Sequence, residues 1–229
     1  FQKQLNCGVK FILINDVFGD YKNSCKYVAN EIEKQLNKKP NSTFILPTGS
    51  TPIGVYNELT KRNLDWSKAT TYNLDEYLDC SIVEQTYRYF MDDMLFNHIN
   101  IKRKNINFPT DGDTSYGLDV DLCLLGIGGN GHIAFNEPGS SFESETRIVD
   151  LTENTIQDNS RFFPTINDVP TQAVTMGLKP IMTSKRIIIM GKGEKKKDIL
   201  LKALHGDVTE KVPALILQKH KNGEVIYCD

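Results

Sequence analysis

Short apolar runs alternate along the chain with longer stretches whose apolar residues recur at helical spacing. Residues 9–14 (VKFILI) are rich in β-branched side chains and predict a strand that stops at Asn15 and Asp16. Residues 21–36 follow with Tyr27, Val28, Ile32 and Leu36 on one helical face, and a break comes at residues 37–41 (NKKPN). Residues 43–46 form the next apolar run. It enters Pro47, Thr48, Gly49, Ser50, Thr51 and Pro52, where proline behind hydroxyl residues marks the start of a helix running to about Arg62. Residues 70–73 predict a third strand, and a helix is expected near residues 85–97.

The same grammar returns in the second half. Residues 121–125 (DLCLL) are apolar enough for a central parallel strand, and residues 186–190 (RIIIM) are another buried run. A helix is expected over residues 194–204, closing at Gly206, and residues 225–227 predict a last strand. Strands alternating with helices imply βαβ units. The expected architecture is one α/β domain over residues 1–229: an open, mostly parallel, Rossmann-like sheet with helices on both faces. Ligands bind such sheets outside the carboxyl ends of the strands.

Composition narrows the function. Lys and Arg number 27 against 29 Asp and Glu, a formal charge of −2, which excludes nucleic-acid binding through bulk positive charge. Hydrophobic residues make up 39% of the chain, and no apolar run approaches the ~18 residues of a membrane span. No secretory signal pattern is visible at the start. Five cysteines (Cys7, Cys25, Cys80, Cys123, Cys228) form no Cys-x-x-Cys pair, so free thiols in a reducing cytoplasm are expected rather than disulfides or a zinc site.

Unusual residues collect in the loops leaving the predicted strands. The turn at Thr48, Gly49, Ser50 and Thr51 can offer backbone N–H groups and hydroxyls at a helix start, a phosphate cradle, although alone it also fits an ordinary capped turn. No Gly-Lys-Ser/Thr follows, so it is not a Walker loop. Asp75 and Glu76 follow a β-rich run. Neighbours on an extended chain point opposite ways, so one of the two is expected to face the site as a general base. Gly126, Gly128, Gly129 and Gly131 make a close-approach loop that leads into His132. Its spacing fits a dinucleotide fingerprint, but the acidic residue expected at the end of a second strand is missing. Instead Asn130, His132 and Glu137 crowd one short segment, with His132 as candidate proton shuttle. Arg161 and the run Lys195, Lys196 and Lys197 supply cations. Lysines at a helix start oppose its dipole unless an anion binds there.

Several segments resemble the glucosamine-6-phosphate deaminases, and the likeness spans nearly the whole chain: residues 46–52 (LPTGSTP), 73–77 (NLDEY), 85–91 (QTYRYFM), 95–99 (LFNHI), 125–139 (LGIGGNGHIAFNEPG), 144–147 and 159–163 (NSRFF). The run GHIAFNEPG is highly specific. The resemblance implies conversion of glucosamine 6-phosphate and water into fructose 6-phosphate and ammonia, with no cofactor and no metal. It assigns His132 to ring opening, Glu137 and Asn130 to assisting that step, and Asp75 to taking the C2 proton. It assigns Thr48, Gly49, Ser50, Thr51, Arg161 and Lys196 to the phosphate. Many members carry Asp where this chain has Asn130, so the negative charge beside His132 falls to Glu137. The helix of charged residues usual before residue 121 is not legible here, and long allosteric members extend past Asp229. Arg147 matches an effector-site residue of those long forms. The expectation is a short, non-allosteric form, a monomer or small homo-oligomer, cytoplasmic, with a small-molecule substrate and neither nucleic-acid nor membrane partners. Two alternatives are a non-catalytic amino-sugar-phosphate sensor and a related enzyme such as a 6-phosphogluconolactonase. Asp75, His132 and Glu137 weigh against the sensor; Asp75 weighs against a lactonase, which needs no C2 proton acceptor.

Overall fold

The computed structural model describes residues 2–4, 9–13 and 20–228. Strand β1 (Gln2–Gln4) runs antiparallel to β2 (Val9–Leu13); the expected strand end at Ile14 and its stop at Asn15 and Asp16 lie outside the described residues. Helix α1 (Tyr21–Lys38) starts where the Asp20 carboxylate accepts the Asn23 N–H at 2.8 Å. Strand β3 (Thr43–Leu46) follows, then α2 (Ile53–Thr60), β4 (Thr70–Asn73), and a very short β5 (Asp75–Tyr77). Helix α3 (Tyr87–Met94) carries 3₁₀ turns on both sides, which accounts for the longer helix expected there. The second half runs through β6 (Ile106–Asn107), β7 (Leu122–Gly126), β8 (Arg147–Asp150), α4 (Glu153–Asn159) and β9 (Gln172–Thr175). It ends with α5 (Leu178–Met182), β10 (Ile187–Lys192), α6 (Glu194–His205) and β11 (Gly223–Cys228).

The main sheet has the order β1-β2-β11-β10-β7-β3-β4-β6, parallel throughout except for β1. Its central strands are buried on both faces, and alternate side chains enter separate cores. Ile187, Ile189, Cys123 and Leu125 pack with α5 and α6; Ile188, Met190, Leu122 and Leu124 pack with α1, α2 and α3. Helices therefore cover both faces, as the alternation implied. The chain winds outward from β3 through β4 to β6, returns to β7 beside β3, and winds outward the other way through β10 and β11. The switch between β3 and β7 opens a crevice at their carboxyl ends, and the loops entering it are those after Leu46 and after Gly126.

One feature was not anticipated. A separate antiparallel sheet, β5-β9-β8, stands over that crevice with its own core of Tyr77, Phe135, Leu151, Phe163, Val169 and Ala173. Residues 147–150 are paired in register with β9. As the sequence between residues 107 and 121 implied, the crossover from β6 to β7 contains only turns, and it is pinned where the Tyr116 hydroxyl lies 2.8 Å from the Asn73 carbonyl oxygen.

At the amino ends of the strands, Arg186 ties the layers together. Its Nη2 lies 2.7 Å from both Glu31 on α1 and Glu224 on β11, and Tyr27 donates to Glu224 at 3.0 Å. Arg186→Met would leave two largely buried carboxylates facing each other. It is expected to cost about 2–3 kcal/mol, less than a fully buried pair because Arg186 keeps some exposure. Chemical denaturation would show the loss. Glu224→Gln in the same chain should recover part of it.

Candidate active site

The loop after β3 forms the first wall. Gly49 takes a left-handed φ of +97°, which only glycine adopts without strain, and the loop turns directly into α2. Among the described residues, the N–H groups of Gly49, Ser50 and Thr51 and the hydroxyls of Thr48, Ser50 and Thr51 have no protein partner. Donors left open at a helix start are available to an anion. Tyr21, which the sequence marked only as a helix start, holds this loop from outside: its hydroxyl donates to the Thr51 carbonyl oxygen at 2.7 Å and accepts the Gly54 N–H at 2.9 Å.

The second wall resolves the Asp75-Glu76 pair. Glu76 points away from the crevice and accepts N–H bonds from Tyr77, Tyr87 and Arg88 at 2.8–2.9 Å, fastening the start of α3 to β5. Asp75 points the other way, is 7% exposed, and accepts no hydrogen bond among the described residues. Burial, with a smaller push from the Glu76 charge, raises the Asp75 carboxyl to about 8. A carboxylate so poorly stabilised is a strong base when ionised.

The glycine-rich loop closes the site. Gly128 and His132 bond back on themselves, with the Gly128 N–H to the His132 carbonyl at 2.9 Å. A Cβ on Gly128 would lie 2.2 Å from His132 Cε1, so the imidazole lies directly on the bare Cα; Gly131 has φ +84°. The Asn130 side chain bridges two partners: its Oδ1 accepts the His132 N–H at 3.1 Å and its Nδ2 donates to Glu137 Oε2 at 2.8 Å. Glu137 Oε2 lies 3.6 Å from His132 Nδ1, beyond direct hydrogen-bond length but within ion-pair range. The other Glu137 oxygen accepts from the Thr155 hydroxyl at 2.7 Å. Burial alone would raise the Glu137 carboxyl, but His132, Thr155 and Asn130 outweigh it and hold it at about 2. Glu137 is therefore a fixed negative charge at neutral pH, facing a histidine.

Thr175 joins the second and third walls. It pairs with Asp75 across β5 and β9, and its Oγ1 accepts the Phe135 N–H at 3.1 Å, just before Glu137 in the chain. Asn136, fully buried, donates to the Ile133 and Met176 carbonyls and accepts from Arg147 at 2.9 Å. Arg147 thus braces the loop from behind. The cations sit on the far side of β7. Lys196 lies in the first turn of α6, after β10. It is half-buried and has no ion pair among the described residues; burial lowers its ammonium pKa, Asp158 opposes that shift, and Arg161 adds to it. The Arg161 charge is thus felt at Lys196. Of the neighbours, Lys197 pairs with Glu194 at 3.6 Å, while Lys195 is exposed with no partner among the described residues. No group of three or more His, Cys, Asp or Glu among the described residues could hold a metal ion.

Sequence reasoning missed Thr155, Tyr21 and Thr175. None carries a local signal, because each meets the site only through pairing or docking of distant segments.

The family described as glucosamine-6-phosphate isomerases/6-phosphogluconolactonase matches residues 110–227. The glucosamine-6-phosphate deaminase of Lachnoclostridium phytofermentans is 46% identical over 226 residues, covering 91% of this chain and 96% of that protein. The deaminase of Clostridium acetobutylicum is 42% identical over 237 residues, covering 95% and 96%. A solved structure of a monomeric glucosamine-6-phosphate deaminase, 36% identical, superposes with a TM-score of 0.85 over 96% of each chain. A 6-phosphogluconolactonase from Thermotoga maritima superposes with a TM-score of 0.73 at 19% identity, a likeness of fold alone. With relatives this similar over nearly its whole length, the chain belongs to the glucosamine-6-phosphate isomerase/6-phosphogluconolactonase family, among the glucosamine-6-phosphate deaminases.

Proposed function

We propose that this protein converts glucosamine 6-phosphate and water into fructose 6-phosphate and ammonia. The observation that carries this proposal is Asp75: a buried, unpartnered carboxyl of raised basicity, tied through Thr175 to the loop holding His132 and Glu137. Such a group suits removal of a carbon-bound proton beside a carbonyl. A lactonase has no such proton to remove.

Each residue then has a role its environment supports. His132 takes the proton from the ring's O1 hydroxyl and returns one to the ring oxygen, opening the sugar to the aldehyde. Glu137, ionised throughout, stabilises the imidazolium formed in between. Asn130 fixes the orientation of both with its two amide ends. An aspartate in that place would put a second carboxylate against Glu137 and could not donate to it when ionised, so asparagine suits a site whose charge comes from Glu137 alone. Asp75 takes the C2 proton to give an enolamine. Reprotonation at C1 gives a ketimine, whose C2 adds water and releases ammonia. The 6-phosphate is held by the loop at Thr48, Gly49, Ser50 and Thr51, and by Arg161 and Lys196.

Incubation with glucosamine 6-phosphate should release ammonia and fructose 6-phosphate in equal amounts. Absence of both would refute the proposal, as would binding without turnover, the behaviour of a sensor. Arg161→Met should raise KM about 10–100-fold, the range expected when a charge-assisted hydrogen bond is lost, with a smaller change in kcat. The same preparation measured by light scattering should be a monomer or small homo-oligomer.

A further inference from the structure

We infer that Thr155 is a positioning residue that couples occupation of the phosphate site at Arg161 to the alignment of Glu137 against His132. The inference rests on the proposed assignment of Arg161 to the phosphate, and it starts from a directed chain of hydrogen bonds. The Thr152 hydroxyl donates to Thr155 Oγ1 at 3.0 Å, and the Thr155 hydroxyl donates to Glu137 Oε1 at 2.7 Å. Because Thr155 Oγ1 already accepts from Thr152, its own proton is directed at the carboxylate. Thr152 is in turn the N-cap of α4, accepting the Thr155 N–H at 3.2 Å, so the helix start and the hydroxyl relay are one structure.

Helix α4 continues without a break into the 3₁₀ turn Ser160–Phe162, whose middle residue is Arg161. The Ser160 N–H bonds back to the Gln157 and Ile156 carbonyls, joining the two into one segment. A phosphate cation and a donor to the catalytic carboxylate therefore ride on the same short element. That element is lightly seated. None of the residues of α4 is fully buried, and only Thr155, Ile156 and Asn159 are half-buried. An element with so few buried contacts settles where its polar contacts draw it. One such contact is Glu137 at one end, and the other is the anion held at Arg161. Binding energy from the phosphate, remote from the reacting carbons, is thereby spent on orienting the proton-transfer pair.

The test uses Thr155→Val, which keeps the shape and removes the donor, and Thr155→Ser, which restores it. The NMR signal of the His132 ring, assigned by its disappearance in His132→Gln, is followed while inorganic phosphate is added. In wild type and Thr155→Ser the signal should move as phosphate binds. In Thr155→Val it should stay still, although phosphate still binds, as measured by calorimetry. In Arg161→Met the response should vanish with Thr155 intact. Kinetically, Thr155→Val should lower kcat about tenfold at nearly unchanged KM, with Thr155→Ser restoring it. Equal His132 responses in wild type and Thr155→Val would overturn the coupling, and so would a silent wild type. A Thr155→Ser variant as impaired as Thr155→Val would show that shape, not the hydroxyl, matters. The titration does not depend on turnover, so loss of ammonia release from wild type would strike the proposed function separately.

Discussion

Asp75→Asn is expected to lower kcat by about 10²–10⁴-fold while leaving substrate binding and the fold intact. The amide keeps the size and polarity of the carboxyl but cannot accept a proton from carbon. In the wild type, kcat/KM should rise with pH until Asp75 is ionised, near pH 8, because its basicity is raised by burial and by the Glu76 charge. A rate that was flat from pH 6 to 9, or an Asp75→Asn variant within a few-fold of wild type, would show that another group takes the proton.

The same substitution has a second, opposite effect on stability. An unfolded aspartate ionises near pH 4, while the folded one holds its proton to about 8. The folded state therefore binds more protons across that window, and stability falls as pH rises through it. Asp75→Asn removes this loss, so the variant should be more stable than wild type at pH 9, by on the order of a few kcal/mol, and little different at pH 4. Denaturation of both proteins at the two pH values checks this. Parallel pH dependence would mean that Asp75 is not strained by burial. An inactive variant that is also more stable is the signature of a base kept in a poor environment for its charge.

Gly128→Ala is the second large effect. The new Cβ would fall 2.2–2.3 Å from three atoms of the His132 ring, so the imidazole must leave its place. Gly128 has no left-handed φ, and what it clashes with is the far end of a side chain, so the backbone accepts alanine and the melting temperature should hardly change. Misplacing a proton-transfer group by about 1 Å costs roughly 10²-fold, and kcat should fall by at least that. Because Gly128 acts only through His132, adding Gly128→Ala to His132→Gln should cost little more than His132→Gln alone. Independent, multiplying losses would disprove this dependence, and near-normal activity in Gly128→Ala would remove His132 from the mechanism.

Much of the frame was legible before any coordinates. Residues 43–46 and 70–73 are strands with the expected limits, because their runs are short, apolar or β-branched, and closed by turn residues. The helix from Tyr21 followed from one buried stripe, including Val28, Ile32 and Leu36. The small sheet was not legible. A strand of three residues beginning Asp-Glu has no period to detect, and β8 and β9 become strands only by pairing with each other and with β5. Gly206 does end α6, yet in extended rather than left-handed backbone; a Cβ there would press on the Lys202 carbonyl at 2.8 Å.

What the chain determines by itself is the order of strands and helices, and with it the crevice between β3 and β7. Apolar periodicity and turn chemistry act over a few residues, and parallel winding follows from them. The sequence also names the reactive groups, since Asn130, His132 and Glu137 lie within one loop and their types declare their chemistry. Only the tertiary structure decides what state those groups are in. Whether Asp75 or Glu76 faces the crevice depends on α3 docking onto Glu76; whether Asp75 is a strong base depends on its burial within a sheet built from three distant segments. How firmly the Glu137 charge is held depends on His132 and on a threonine eighteen positions away in sequence and 2.7 Å away in space. Burial and hydrogen bonding are set by whatever packs against a group. For this site that packing comes from parts of the chain that only the fold brings together.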